Sequence, residues 1–179
     1  MLEKFILDLT KEEAATIEAY MQPKLASAGT VLIEQGSNDR NLFFLISGEY
    51  EVYQKLEIAH SFHAIKLASL TGPILFGEAN LLCNQERNAT VLVRSDCKYL
   101  ELPYEAFEEI RESHPRIALK LITYAGAVTA QRYSDIHNKL QTKMFAHAED
   151  FQKGLLWMKK YMGDVQKCSA ELAKKLFKI

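Results

Sequence analysis

The spacing of hydrophobic and polar positions changes twice along the chain. Between Gly29 and Leu102, short apolar runs rich in valine, isoleucine and aromatic residues recur, with turn-forming sequences between them. Short strands at such regular spacing predict an antiparallel sandwich or barrel. The predicted strands are TVLIEQ, NLFFLIS, EYEVYQ, HAIKLASL, ATVLVRS and KYLELP, and the connection over residues 54–63 has the least regular pattern.

Helical patterns flank this β region on both sides. Thr10 and Glu13 have the spacing of a capping box, which predicts a helix from about residue 11 to 21 that ends before Pro23. After Pro103 the pattern is helical again. We therefore predict an α+β fold, mainly β, in which an antiparallel barrel carries helices at both ends.

The C-terminal helical part divides near His114–Pro115 and again near Gly163. Its long segment, from about residue 116 to 140, repeats apolar and small residues at steps of four and three, which is typical of a packing seam. This seam predicts a homodimer through residues 122–140, and packing onto the chain's own barrel is the alternative. The seam residues are Ile122, Gly126, Thr129, Tyr133, Ile136 and Leu140.

Composition indicates one well-buried domain with an appendage. The chain has 179 residues, 48% of them hydrophobic, and we predict a ligand-binding domain over 1–141 and a C-terminal helical extension over 142–179. We predict that this extension folds into an additional hairpin of two helices over residues 145–178. The sequence contains no apolar run of the roughly 18 residues that a membrane span needs, so we expect a cytoplasmic protein without a membrane partner.

Several classes of chemistry are disfavoured by the residues present. Three widely spaced cysteines fit neither a disulfide framework nor a metal site, and His60 with His63 lacks a third ligand nearby. We therefore predict no metal ion and no resident cofactor. No nucleophile–base motif and no P-loop occurs, so an enzyme is not predicted.

The net charge is only −1, although eight lysines and four acids give residues 142–179 a charge of +4. A nucleic-acid-binding protein is expected to be more basic overall, so DNA is an unlikely partner for this chain. The segment KCSAELAKKLFKI is nevertheless similar to the first helix of a helix-turn-helix motif.

The segment FGEANLLCNQERNAT, residues 76–90, interrupts the β pattern with one helical turn. Gly77 permits close approach of backbone to a ligand, and the helix start after it presents free N–H groups to an anion. Arg87 supplies a planar donor that matches two phosphate oxygens. Glu78 would be repelled by a phosphate, so it should accept from neighbouring hydroxyl groups such as those of a ribose.

This segment resembles the phosphate-binding cassette of cyclic nucleotide-binding domains, the family of the catabolite activator protein and the regulatory subunit of protein kinase A. The similarity continues over residues 5–140, including GTVLIEQG at 29–36 and DRNLFFLISGEYEVY at 39–53. The resemblance implies a jelly-roll barrel and a 3′,5′-cyclic nucleotide, cAMP or cGMP, as ligand.

The resemblance also implies residue roles. Gly77 forms the cassette turn, Glu78 accepts from the ribose 2′-hydroxyl, Ala79 and Asn80 offer backbone amides to the phosphate, and Arg87 pairs with its exocyclic oxygens. The remaining candidate contacts are Phe76, Asn88 and Ala89 in the cassette, with Tyr133 and Ser134 for the base. Tyr133 has the alternative of seam packing.

Three departures from the family pattern accompany the resemblance. Asn80 stands where a small residue is usual, so its side chain must point away or make a new contact. Asn88 replaces a residue that is often serine, threonine or alanine, and Thr71-Gly72-Pro73 inverts the usual Pro-Gly order.

Three functions follow as hypotheses. The first is a cyclic nucleotide sensor that relays occupancy through its C-terminal helices to an unknown effector protein. The second is a truncated transcription regulator of the catabolite activator type. The third is a ligand-independent dimerisation module whose cassette no longer binds nucleotide.

Overall fold

The protein is described by a computed structural model over residues 8–58 and 61–146. The described residues form eight strands and four helices. The strands are β1 Gln22–Ala26, β2 Val31–Ile33, β3 Leu42–Ser47, β4 Glu49–Ile58, β5 Ser61–Thr71, β6 Ile74–Phe76, β7 Thr90–Val93 and β8 Cys97–Leu102. The helices are α1 Lys11–Tyr20, α2 Glu78–Leu82, α3 Tyr104–Ser113 and α4 Pro115–Ala146.

The strands form two antiparallel sheets of four strands each. One sheet has the order β1-β8-β3-β6, and the other has the order β2-β7-β4-β5. Helix α1 precedes the sheets in the chain, α2 lies between β6 and β7, and α3 and α4 follow β8. The predicted α+β class and the antiparallel jelly roll are confirmed by this arrangement.

Strand β3 supplies both hydrophobic cores because it is buried on both faces. Phe43 and Leu45 pack in the barrel core against Tyr50, Val91 and Val93. The alternate residues of β3 pack in a second core with the helices, consistent with side chains that alternate along a strand. That second core contains Leu42, Phe44, Leu102, Phe107, Ile110, Ile117 and Leu121.

The predicted starts of the three longer helices are confirmed, whereas α4 continues to Ala146, past its predicted end near residue 140. Helix α1 begins after the predicted capping box, in which Glu13 N donates to Thr10 Oγ1 at 3.2 Å and Thr10 N donates to Glu13 Oε2 at 2.8 Å. Helices α3 and α4 separate at His114, directly before Pro115. Proline fixes its own φ and lacks an amide donor, so it suits the first position of α4.

Two strands were not predicted from sequence. Strand β1 is exposed over four of its five residues and contains Pro23, which removes one donor. The proline is tolerated because β1 lies at the edge of its sheet and, within the described residues, pairs with β8 alone. Strand β6 is only three residues long, directly before the cassette.

The chain divides into two compact units, residues 1–131 and 132–179. The predicted domain boundary at residue 141 stays a prediction, and α4 runs through it. The predicted hairpin over 145–178 lies almost entirely outside the described residues. Within the described part of the chain, no helix has the length and hydrophobicity that crossing a membrane would require.

Candidate ligand-binding site

A glycine turn begins the site. Strand β6 ends at Phe76, which is buried in the barrel core, and Gly77 follows with φ of +87° as the N-cap of α2. A Cβ at this position would lie 2.5 Å from Asn41 O and 2.7 Å from Arg87 Nη1. Only glycine therefore allows the chain to turn here while the arginine lies directly against the backbone.

Helix α2 buries two polar side chains. Glu78 is 5% exposed and Asn80 is 5% exposed, whereas Ala79 between them is half-buried. Leu81 anchors the helix because its side chain packs into the core that α3 and α4 share. A carboxylate and an amide are thus held inside the protein by one short helix.

The guanidinium of Arg87 is the centre of the site. The residue is 3% exposed, and its backbone is fixed because Arg87 N donates to Ser37 O and Gly36 N donates to Arg87 O. Its Nη2 donates to Asp39 Oδ1 and, at 2.7 Å, to Asn41 O. Its Nε donates to Asp39 Oδ2 at 3.2 Å.

Asp39 and Arg87 form an ion pair in which the arginine is buried and the aspartate is partly exposed to solvent. The Arg87 side chain is 2% exposed, and the Asp39 side chain is 38% exposed. Burial alone would raise the pKa of the Asp39 carboxyl, but the hydrogen bond and positive charge of Arg87 lower it below its usual value. Asp39 is therefore ionised at neutral pH and balances the charge of the buried guanidinium.

Asn80 completes the environment of Arg87. Its Oδ1 accepts from Arg87 Nη1 at 3.3 Å, and its Nδ2 donates to Gln85 O at 2.5 Å. Of the two outcomes expected for this unusual cassette residue, the structure has the second: the side chain makes a new contact. The amide links α2, the arginine and the loop that connects them.

The loop before β3 contributes residues to the site that were not predicted from the sequence. Arg40 donates from Nε to Asn80 O at 3.1 Å and from Nη2 to Leu81 O at 3.2 Å. The same guanidinium lies 3.8 Å from the ring centroid of Tyr104, the first residue of α3. Arg40 therefore joins the end of the cassette helix to the start of the C-terminal helices.

Asn41 makes a parallel connection. Its backbone oxygen accepts from Arg87, and its Oδ1 accepts from Tyr104 N at 3.0 Å. Pro103, the N-cap of α3, provides no side-chain cap, so Asn41 takes that role from a distant part of the chain. The available sequence signal for this loop was a pair of adjacent opposite charges, Asp39 and Arg40, shortly before a strand that begins with five apolar residues.

The other predicted site residues are less enclosed. Asn88 is exposed and Ala89 is half-buried, both directly after Arg87. Tyr133 is 71% exposed and stacks on His137 with ring centroids 6.2 Å apart, and Ser134 is exposed. These two residues belong to the second unit, and their contact with a base stays a prediction.

Comparison with known proteins agrees with this architecture. Residues 23–114, about half of the chain, match the model of the cyclic nucleotide-binding domain family. The chain therefore belongs to the cyclic nucleotide-binding domain family. Members of this family are typically regulatory and non-catalytic.

Curated relatives resemble this chain over only part of their own length. Glutaminase 2 of Bradyrhizobium diazoefficiens is 32% identical over 130 residues, which are 73% of this chain and 20% of that protein. The cGMP-dependent protein kinase of Plasmodium berghei is 31% identical over 83 residues, which are 46% of this chain and 9% of the kinase. The chain thus spans a fifth or less of either relative.

Solved structures share the fold. The catabolite activator protein of Thermus thermophilus superposes with a TM-score of 0.63 and 26% identity, covering 79% of this chain and 63% of that one. A cyclic nucleotide-binding domain from Methylobacillus flagellatus has a TM-score of 0.69 and 18% identity, covering 76% and 75%. The second likeness, at this low identity, supports the fold alone.

Proposed function

We propose that this chain is a cyclic nucleotide-sensing module whose cassette binds the cyclic phosphate through Arg87 and the ribose through Glu78. The observation that carries the proposal is the buried guanidinium of Arg87, whose Nη1 lies against the Gly77 turn. A fixed cation with one nitrogen beside a glycine turn suits a negatively charged exocyclic phosphate oxygen. The backbone amides of Ala79 and Asn80 complete the phosphate contacts.

Glu78 gives the proposal its preference for a nucleotide over a simple anion. Its carboxyl group is buried on the same short helix as Asn80, and carboxyl oxygens accept hydrogen bonds from hydroxyl groups. A charge-assisted contact contributes about 1.5–3 kcal/mol, whereas a micromolar complex needs about 8 kcal/mol. Amides, ribose and base contacts must therefore add to Arg87, with Tyr133 and Ser134 as candidates for the base.

The signal is proposed to leave the cassette through α3. Arg40 contacts both the end of α2 and Tyr104, and Asn41 contacts both Arg87 and Tyr104. A ligand shifts such an arrangement only if it binds one state more tightly. The receiver is an unidentified effector protein or a second copy of the chain that packs on residues 122–140. In either case the module itself is proposed to be non-catalytic and cytoplasmic.

A ligand-independent interaction module is the second candidate, and one observation favours it. Asp39 already neutralises Arg87, and Asn41 and Asn80 occupy further donors of the same guanidinium. A phosphate must compete with these groups. A transcription regulator is less favoured, because the sequence here is not basic overall.

Calorimetric titration of the 179-residue chain with cAMP, cGMP and the corresponding linear 5′-monophosphates tests the proposal. We expect saturable binding of a cyclic nucleotide and a loss of roughly 10- to 100-fold in affinity for Arg87→Ala. Arg94→Ala is the matched control, because Arg94 is a 55%-exposed arginine paired with Glu51. Equal affinity of the wild type and folded Arg87→Ala, or no heat with any cyclic nucleotide, would support the ligand-independent module instead.

A further inference from the structure

The donors of Arg87 are divided between two sides of the guanidinium. Nε and Nη2 donate to Asp39 and to Asn41 O, which hold the arginine in place. Nη1 is the nitrogen beside the Gly77 turn, since a Cβ on Gly77 would lie 2.7 Å from it. The side chain on that edge is Asn80, whose Oδ1 accepts from Nη1.

Resting on the proposed function, we propose that Asn80 is an affinity-determining residue that competes with the cyclic phosphate for Nη1 of Arg87. The amide oxygen of Asn80 accepts a hydrogen bond from the same nitrogen that a phosphate oxygen would contact, so the protein's own side chain occupies the place of the ligand oxygen. Because Asn80 is 5% exposed, this hydrogen bond is shielded from water. Ligand entry therefore requires the amide to give up or share Arg87.

The same amide is also tied to the cassette loop. Nδ2 of Asn80 donates to Gln85 O, so rotating the side chain away from Arg87 also disturbs this second hydrogen bond. The two bonds cooperate because one rigid planar amide makes both. Ligand binding is thus coupled to rearrangement of the loop over residues 83–86.

Two substitutions of Asn80 should change the affinity for the cyclic nucleotide in opposite directions. Asn80→Ala removes the competing oxygen and restores a small residue, so affinity for the cyclic nucleotide should rise about tenfold, the effect of one hydrogen bond to a charged group. Asn80→Asp keeps the shape of the side chain but adds a negative charge beside Arg87. That charge strengthens the internal contact and repels the phosphate, so affinity should fall below that of the wild type.

The test is the dissociation constant of cAMP and of cGMP for the full chain carrying each substitution, with thermal unfolding as the check on folding. Arg94→Ala is again the control, because Arg94 is an exposed arginine outside the cassette and its loop. The proposal is supported if affinity decreases in the order Asn80→Ala, wild type, Asn80→Asp while Arg94→Ala binds as the wild type does. Binding by Asn80→Ala where the wild type gives none supports it as well.

Two results would overturn it in distinguishable ways. If the wild type binds and folded Asn80→Ala binds equally or more weakly, the competing role of Asn80 is wrong while the sensing function stands. If neither protein binds any cyclic nucleotide although both are folded, both the competing role and the proposed function are wrong.

Discussion

Gly77 is the residue at which backbone conformation and ligand chemistry meet. Its φ of +87° is one that residues with a side chain rarely adopt, and both Asn41 O and Arg87 Nη1 occupy the space of a Cβ. The turn therefore depends on glycine for two separate reasons. The glycine is recognisable in the sequence, but the groups that crowd it, Asn41 O and Arg87 Nη1, are seen only in the structure.

Gly77→Ala should lower the free energy of unfolding by about 1–3 kcal/mol, the cost of a strained backbone position, and should abolish nucleotide binding because Arg87 must move. Chemical denaturation and calorimetry measure the two effects. Gly126→Ala is the control, since Gly126 lies in α4 and a Cβ added there would meet open space, and alanine there should stabilise the helix by about 1 kcal/mol. Equal effects of the two substitutions would contradict this account of Gly77.

The pair of Asp39 and Arg87 has a consequence for acid stability. The pKa of Asp39 is raised by burial but lowered more by Arg87, so its folded-state value lies below the unfolded value of about 3.9. Stability from this depressed pKa is present above the unfolded value and is lost as the pH falls through the folded value.

Asp39→Asn should therefore cost about 1 kcal/mol near pH 7, a modest value because the carboxylate is partly solvated. The difference in free energy of unfolding between wild type and variant should shrink below about pH 4. Urea denaturation of both proteins at several values between about pH 3 and pH 7 measures this difference in free energy of unfolding. A difference that grows toward low pH would show that Asp39 stabilises the fold by another route.

At the scale of elements, the short helix α2 is connected to α3 through the loop before β3. Arg40 binds two carbonyl oxygens at the end of α2 and lies over the ring of Tyr104. Asn41 supplies the cap that Pro103 lacks. A change at the cassette thus has a direct polar connection to the first C-terminal helix.

Arg40→Ala should lower the free energy of unfolding by about 1–2 kcal/mol and should reduce the nucleotide-dependent change in amide hydrogen exchange of α3. The comparison is made at saturating cyclic nucleotide with exchange followed by mass spectrometry. Arg111→Ala, which removes a 54%-exposed arginine of α3 itself, is the control. An unchanged response of α3 in Arg40→Ala would exclude this connection as the path of the signal.

Elements whose ends are set by neighbouring residues could be predicted from the sequence, whereas elements and contacts that depend on distant residues could not. The capping box at Thr10 and the break at Pro115 follow from chemistry within a few residues, and both are confirmed. Strand β1 escaped prediction because its pairing with β8 joins Gln22 to Glu101, far apart in the chain, and its exposed sequence carries no alternation. The contacts of Asp39 and Arg40 with the cassette escaped for the same reason, since they span about 40–48 positions.

At the scale of the whole molecule, α4 leaves apolar side chains of the predicted seam exposed. Ile122 is 36% exposed, Tyr133 is 71% exposed and Ile136 is 59% exposed, and all three belong to the predicted seam. The seam pattern in the sequence predicts that a second copy covers these residues.

Sedimentation velocity over a range of protein concentrations should show a dimer that Ile136→Lys shifts to monomer, because a charge in an apolar seam is costly to bury. Leu25→Lys is the control, since Leu25 is a 76%-exposed leucine on edge strand β1 and does not belong to the predicted seam. A wild-type monomer at all concentrations, or equal loss in both variants, would contradict self-association through α4.

The most direct test of the account is to locate the ligand in the wild-type chain. Amide hydrogen exchange with and without a saturating cyclic nucleotide should show protection at residues 77–80 and around Arg87, where backbone amides and the guanidinium are proposed to hold the phosphate. Protection confined to other parts of the chain, or exchange that no cyclic nucleotide alters, would contradict the proposal that this cassette is the sensing site.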